Sequence, residues 1–366
     1  METPITVGKP KENDRFREVA VVHDDMFERI ISLENLVGAW REFRIGKRSK
    51  KDVIEFGDRV EEYLVALALD LKAGKYRHGQ YTRFIVHDPK RREISKAPVR
   101  DRVLHHALCR VIVPVFDRGF IFDSYANRTG KGTLSANDRL DAFVRKCSRN
   151  GSRTAFVLKA DIRKYFDSVD HETLLRILGR RIRCERTLGL LHFVVSSFET
   201  SPGKGIPLGN LTSQLFSNAY LDPFDQFVKR ELGVKYYIRY ADDFVVLSDD
   251  VGALDRMRSR MDAFLTLNLG LTLHPEKTRI VRFGSGVDFL GKVHFRFHRV
   301  LRVKTKRRSI RRIASRNESS YIGLLRHSRS HGLVRILRDI LEQRNILEEV
   351  CVNPSTKPSG AWTSRV

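Results

Sequence analysis

Cysteine is scarce in this chain. Only four of its 366 residues are cysteines (Cys109, Cys147, Cys184 and Cys351), and no two form a CxxC pair. That spacing argues against a disulfide framework and against a zinc site, and it fits a reducing, cytoplasmic setting. Long apolar runs are also missing. No stretch approaches the roughly 18 consecutive apolar residues of a membrane span, so no membrane partner is expected. The N-terminus is polar from Glu2 onward, so no signal peptide is expected either. There is no internal repeat. The adjacent pair His105 and His106 reads as helix packing or backbone contact. Negative charge is the last shortage: 44 Asp and Glu face 68 Lys and Arg, a formal charge of +24. Such a surplus calls for an anionic partner, and nucleic acid leads. The excess runs through the whole chain, which points to a long basic groove and not to a tethering arm. A merely soluble surface is the bland alternative.

What is present is an ordinary globular complement. The hydrophobic share is 41%, enough for two or three subdomains with a sizeable core. After the basic cluster Lys47, Arg48, Lys50 and Lys51, apolar residues from Val53 to Leu71 step by three and four, which predicts a helix ending at Gly74. Residues 81–86 alternate as a strand before an Asp88-Pro89 turn. A helix is expected from about Asp101 to Ile112, stopping before Pro114. Residues 123–133 read as a glycine-bearing loop, 154–162 as a buried strand, 171–182 as a helix and 201–210 as a loop. A helix through Phe216, Tyr220 and Phe224 follows. Residues 234–248 read as a hairpin turning at Ala241-Asp242-Asp243, then come a helix over 254–267 and strands over 279–283 and 287–295. The basic stretch 304–316 opens a helical region to about Val350, and a Pro-, Ser- and Gly-rich tail is expected to be disordered. Strands and helices alternate without a βαβ order, so the class is α+β.

Two apolar strands end in acid: Phe156 to Asp161, and Tyr237 to Asp242-Asp243. Carboxylates clustered at strand ends are costly unless a cation neutralises them. Hard oxygen ligands suit Mg²⁺, with Mn²⁺ as a substitute. Two such ions can activate an attacking hydroxyl and stabilise a leaving pyrophosphate. Adjacent strand residues point to opposite faces. Asp242 and Asp243 therefore share a site only if the turn bends them together, and Asp161 and Asp242 are the stronger ligands. An ordinary polar hairpin turn is the alternative for the Asp242-Asp243 dipeptide alone.

At these residues a family resemblance appears. YADD at 240–243 resembles the signature of reverse transcriptases. KADIRKYFDSVDHETL (159–174), GLTLHPEKTRI (270–280) and VDFLGKVHF (287–295) are similar to that family's other segments, in order. REISKAPVRDRVLHHAL (92–108) and FDSYANRTGKGT (122–133) resemble finger motifs of the bacterial branch. PLGNLTSQ (207–214) carries Leu208 where most members have Gln and Gln214 where most have Pro. Together with NLVGAWREFRIGK (35–47), it resembles the diversity-generating retroelement branch.

The resemblance implies a right-hand polymerase: an N-terminal extension (1–50), fingers (51–150), a palm with an antiparallel sheet and the catalytic site (151–295), a short basic helical thumb (296–352) and a tail (353–366). It implies an RNA-directed DNA polymerase that copies a structured template RNA into cDNA from deoxynucleotide triphosphates. Misreading of template adenines and mutagenic retrohoming would follow, as would a small basic accessory protein that forms a ring. No maturase or endonuclease domain is expected after the thumb. Asp161 and Asp242 would bind two ions, with Asp243 assisting and the Ile162 carbonyl as a main-chain ligand. Phe166 would exclude the ribose 2′-hydroxyl, or else pack in the core. Arg92 would lie over the triphosphate, or else be a solvated charge. Lys277 would donate a proton near the pyrophosphate, or else form a surface ion pair. Phe289, Leu290 and Gly291 would hold the primer. Lys304, Arg308, Arg311, Arg312 and Ser315 would track phosphates from one helical face, or else form a solvated face. A retron-like, group II-like or phage-defence enzyme is the near alternative, and a catalytically idle RNA-binding scaffold the distant one.

Overall fold

The computed structural model describes residues 25–87, 91–314, 317–326, 328 and 331–352. The expected Asp88-Pro89 turn, Ser315 and the 353–366 tail lie outside the described residues. In chain order the elements are α1 (Met26–Ile31), α2 (Leu33–Phe43), α3 (Lys51–Asp58), α4 (Val60–Lys72), β1 (Thr82–Val86), β2 (Arg92–Lys96), α5 (Val99–Asp117), α6 (Thr133–Cys147), β3 (Phe156–Asp161), α7 (Tyr165–Ser168), α8 (His171–Gly179), α9 (Glu185–Val195) and α10 (Leu211–Gln226). There follow β4 (Tyr237–Tyr240), β5 (Asp243–Ser248), α11 (Val251–Leu269), β6 (Arg279–Arg282), β7 (Val287–Phe289), β8 (Lys292–His294), β9 (Arg299–Leu301), α12 (Val303–Arg312), α13 (Glu318–Arg326) and α14 (His331–Val352).

These elements fall into two compact units. One is built from the described residues of Met1–Ile121, Lys164–Asp225 and Thr266–Leu271. Here β1 and β2 form an antiparallel ribbon. The helix expected over 53–71 is two helices, broken at Arg59 (φ −128°, ψ 33°). Helix α5 runs through Pro114 to Asp117. Proline removes one backbone donor, but burial of Val111, Ile112 and Phe116 carries the helix a further turn. His105 is fully buried there, and burial pushes its imidazole down to about 3. Helix α8 begins on a side-chain cap, with Asp170 Oδ1 accepting from the Thr173 amide at 2.8 Å.

The other unit comprises Phe122–Arg163, Gln226–Leu265 and the described part of Thr272–Val366. Its centre is a four-stranded antiparallel sheet in the order β4-β5-β3-β6. Helix α6 packs Ala136, Leu140, Phe143, Val144 and Cys147 on one sheet face, against Val157, Ile238, Val245 and Leu247. A second, three-stranded sheet, β7-β8-β9, adds Val287 and Phe289 to that core. The single strand expected over 287–295 is thus two, turned at Leu290 (φ 46°) and Gly291 (φ 88°). A small cluster of Leu301, Ile313, Leu325, Leu337 and Leu341 holds the C-terminal helices. Among the described residues no helix is long and apolar enough to cross a membrane.

Candidate active site

Strand β3 delivers Asp161 as its last residue, 8% exposed. The antiparallel register sets Asp161 directly opposite Asp243 on β5. Asp243 also pairs with Tyr240 across the β4–β5 hairpin, which leaves Ala241 and Asp242 as the two turn residues. Ala241 adopts φ 55°, the left-handed backbone that a tight two-residue hairpin turn demands and glycine usually supplies. Asp242 therefore sits in the turn, outside the strand alternation. This is how the dipeptide escapes the opposite-face rule.

Backbone bonds stitch the turn to β3. The Ile162 amide donates to the Asp242 carbonyl at 3.3 Å, and the His274 amide to the Asp161 carbonyl at 2.7 Å. Arg239 is fully buried in β4 and donates to the Ala241 carbonyl at 3.1 Å. Lys159, two residues before Asp161, donates from Nζ to the Asp288 carbonyl at 2.7 Å. It thereby ties β3 to the β7–β8 hairpin. Burial holds its ammonium below the usual lysine range. Sequence reasoning missed both residues. A charged side chain inside an otherwise apolar strand was the available signal in each case.

The electrostatics are those of a crowded acidic pocket. Burial, then the Asp243 and Asp161 carboxylates, pushes Asp242 up to about 6. Burial and the neighbouring Asp161 also raise Asp243, against the opposing pull of Lys159. Lys277 donates from Nζ to Asp161 Oδ1 at 2.8 Å. Among the described residues no group of three or more His, Cys, Asp or Glu side chains is arranged to hold a metal ion by itself. The donor set still fits a hard divalent cation. Such ions take a few carboxylates and draw their remaining ligands from substrate phosphates and water, and the raised acids mark where positive charge is wanted.

The other expected site residues are spread over both units. In the unit that holds β2, Arg92 is exposed on that strand. The ribbon is fastened to the 207–210 loop: the Ser95 amide donates to the Leu208 carbonyl at 3.1 Å, and Asn210 Nδ2 to the Ser95 carbonyl at 2.9 Å. Leu208 is half-buried and Gln214 exposed. Phe166 is half-buried, edge-on to the buried Tyr165 ring at 5.4 Å, and its carbonyl accepts from the Ile206 amide at 2.9 Å. In the sheet unit, Phe289 is a core residue, 1% exposed, whereas Gly291 has open space where a Cβ would stand. Of the α12 cations, Lys304, Arg311 and Arg312 are exposed and Arg308 is half-buried. Ser309 and Ile313 are buried.

The family model for reverse transcriptase (RNA-dependent DNA polymerase) matches residues 87–294, more than half of the chain and all three acids. The chain belongs to the reverse transcriptase family. Its α+β arrangement with antiparallel sheets is that family's right-hand polymerase fold, and members of the family generally use divalent metal ions. Protein YkfC of Escherichia coli (strain K12) is 27% identical over 59% of this chain and 65% of its own length. A Saccharomyces cerevisiae protein named for COX1/OXI3 intron 2 is 20% identical over 63% of this chain and 34% of its own. The chain thus spans about two thirds of one curated relative and about one third of the other. A telomerase from Candida albicans, solved with a fragment of telomeric RNA, aligns over 82% of this chain and 59% of its own, at 11% identity and a TM-score of 0.48. That likeness adds nothing to the family match.

Proposed function

We propose that this reverse transcriptase is an active RNA-directed DNA polymerase, making cDNA from a structured template RNA and deoxynucleotide triphosphates. The observation that carries this is the convergence of Asp161, Asp242 and Asp243 at one end of the β3–β5 pair, with Asp242 pushed up to about 6 by burial and then by its acidic neighbours. Asp161 and Asp242 would hold two Mg²⁺ ions, or Mn²⁺, with Asp243 assisting and the Ile162 carbonyl as a main-chain ligand. Bound there, the ions would activate the primer hydroxyl and offset charge on the leaving pyrophosphate. Lys277, which donates to Asp161, would give that leaving group a proton. Arg239 and the Ile162 amide keep the turn from shifting. Arg92 would meet the triphosphate, Phe166 the sugar, and the Leu290-Gly291 turn the primer backbone. Lys304, Arg308, Arg311 and Arg312 would follow the duplex phosphates. In this account residues 51–150 act as fingers, 151–295 as palm and 296–352 as thumb.

We assign the enzyme to the diversity-generating branch, on Leu208 and Gln214 in PLGNLTSQ. In that branch it would misread template adenines, serve mutagenic retrohoming and work beside a small basic accessory protein. Likeness to a protein named for an intron favours a group II-like enzyme as the second reading. Primer extension on an adenine-containing RNA, with the products sequenced, tests both. Accurate cDNA supports the second reading, adenine-specific errors support the first, and the absence of any product removes the polymerase assignment.

A further inference from the structure

One surface of the sheet unit has no part in the catalytic account. It lies where the loop after α6 meets the segment joining β8 to β9. The loop is tightly built. Arg149, Asn150 and Gly151 all take left-handed backbone (φ 47°, 55° and 89°), and the Ser148 hydroxyl accepts from the Gly151 amide at 2.9 Å. The β8–β9 segment is equally fixed. Its Phe295 amide donates to the His298 carbonyl at 2.8 Å, and the two rings stack with centroids 5.0 Å apart. Arg296 donates to the Gly151 carbonyl, joining the two segments, and its guanidinium stands 4.9 Å from the Phe297 ring. Phe297 itself is 78% exposed.

Between them lies a cavity of about 320 Å³ with Arg145, Phe283, Phe295 and Phe297 in its walls. An adjoining hollow of about 510 Å³ brings in Arg153 and Arg282. The one acid in these walls is Asp141. It is already engaged by His294 Nδ1 at 2.6 Å and Arg299 at 3.0 Å. Arg153 pairs with Asp249 at 3.1 Å. Arg145 and Arg282 are exposed and form no ion pair among the described residues. The surface is therefore cationic, preformed and tipped by a bare aromatic ring. It is also remote from the acids. Arg282 registers opposite Phe156, at the start of β3, while Asp161 ends that strand. Five residues of extended chain separate them, roughly 17 Å.

We propose that this surface binds single-stranded nucleic acid, with an unpaired base stacked on Phe297 and the flanking phosphates held by Arg145, Arg282 and Arg296. Exposed aromatics beside arginines in a cationic hollow are the two elements such binding uses: a stacking platform and a phosphate track. An acidic protein segment would satisfy the arginines but would leave the exposed ring without a role. The inference rests on the chain being a nucleic-acid binder and not on its catalysis.

The test uses the full chain and a short primer–template duplex whose template overhangs the primer by a few nucleotides, with and without a long oligouridine tail. A parallel arm carries oligodeoxythymidine instead. The parent should bind the tailed duplex more tightly than the untailed one. Phe297→Ala should weaken binding of the tailed duplex about five- to a hundredfold, and Phe297→Tyr should restore it. Arg145→Ala with Arg282→Ala should lower the salt slope of the tailed duplex alone. Binding and extension of the untailed duplex should not change in any of these variants. The two arms tell whether RNA or DNA is preferred, and loss in either supports the site. Unchanged affinity for both tails in Phe297→Ala overturns the proposal, as does equal loss for the untailed duplex. A parent that fails to extend the untailed duplex, while Phe297→Ala still loses the tailed one, would remove the polymerase assignment and leave this site standing.

Discussion

Asp161 and Asp243 stand directly opposite each other across the β3–β5 ladder. Like charges in that position repel, and Asp242 in the adjoining turn adds a third carboxyl. A sheet built only for stability would not place acids so. On the proposed function, a divalent cation would offset that repulsion.

The raised Asp242 has a measurable consequence for pH. Its folded-state value of about 6 lies above the ordinary 3.8, so the fold binds that proton more tightly than the unfolded chain does. Stability from this group is therefore full below about pH 4 and is lost as pH rises through 6. At pH 7 without divalent ions, Asp242→Asn should stabilise the fold by on the order of 1–3 kcal/mol, and at pH 4 it should change little. Divalent-ion affinity of the parent should rise roughly tenfold per pH unit up to about 6 and then level off. Thermal melts and ion titrations across this range check both. A flat response would separate Asp242 from the metal site.

Phe166 is half-buried, whereas its neighbour Tyr165 occupies the core. Phe166→Ala should therefore cost little stability yet admit ribonucleotides, while deoxynucleotide use persists. Competition between the two nucleotide types in primer extension measures this. Unchanged discrimination would place the steric gate elsewhere.

Leu208 offers no donor or acceptor where the family resemblance of PLGNLTSQ implies glutamine. Each hydrogen bond regained is worth about 0.5–1.5 kcal/mol, or roughly two- to tenfold in discrimination. Leu208→Gln should lower misincorporation opposite adenine several-fold and change other errors less, as read by sequencing cDNA from one RNA template. An active variant with the same adenine error rate would take Leu208 out of the fidelity argument.

RNA binding should fall steeply with salt, because phosphate contacts release counterions. Replacing Arg308, Arg311 and Arg312 together should reduce the slope of log affinity against log salt by roughly two to three units, about one per contact. A slope unchanged from the parent would make α12 a solvated face.

Much of the sheet unit could be read from the sequence, because its strands are apolar runs that end in chemistry. Residues 156–161 and 237–248 announced both the hairpin and the acids. Strand β2 was not legible as a strand: Arg92, Glu93 and Lys96 stand on a ribbon that has little core to face. Helix α6 was overlooked although Ala136, Leu140, Phe143, Val144 and Cys147 step with helical spacing, because polar residues fill the positions between them. Prolines 114 and 223 lie inside helices that tertiary burial sustains. Lys159 and Arg239 stand out in the sequence as charges within apolar strands, but their partners do not. Which backbone carbonyl a buried cation will meet is decided by strand register, and the sequence does not state it.

The most direct test of the central claim is primer extension on an RNA template by the parent and by Asp242→Asn at saturating Mg²⁺, with RNA affinity measured in parallel. Asparagine keeps the shape of the turn and removes the charge that would hold the ion. The account predicts extension by the parent, its abolition in the variant and unchanged RNA binding. Near-normal extension by Asp242→Asn would contradict it.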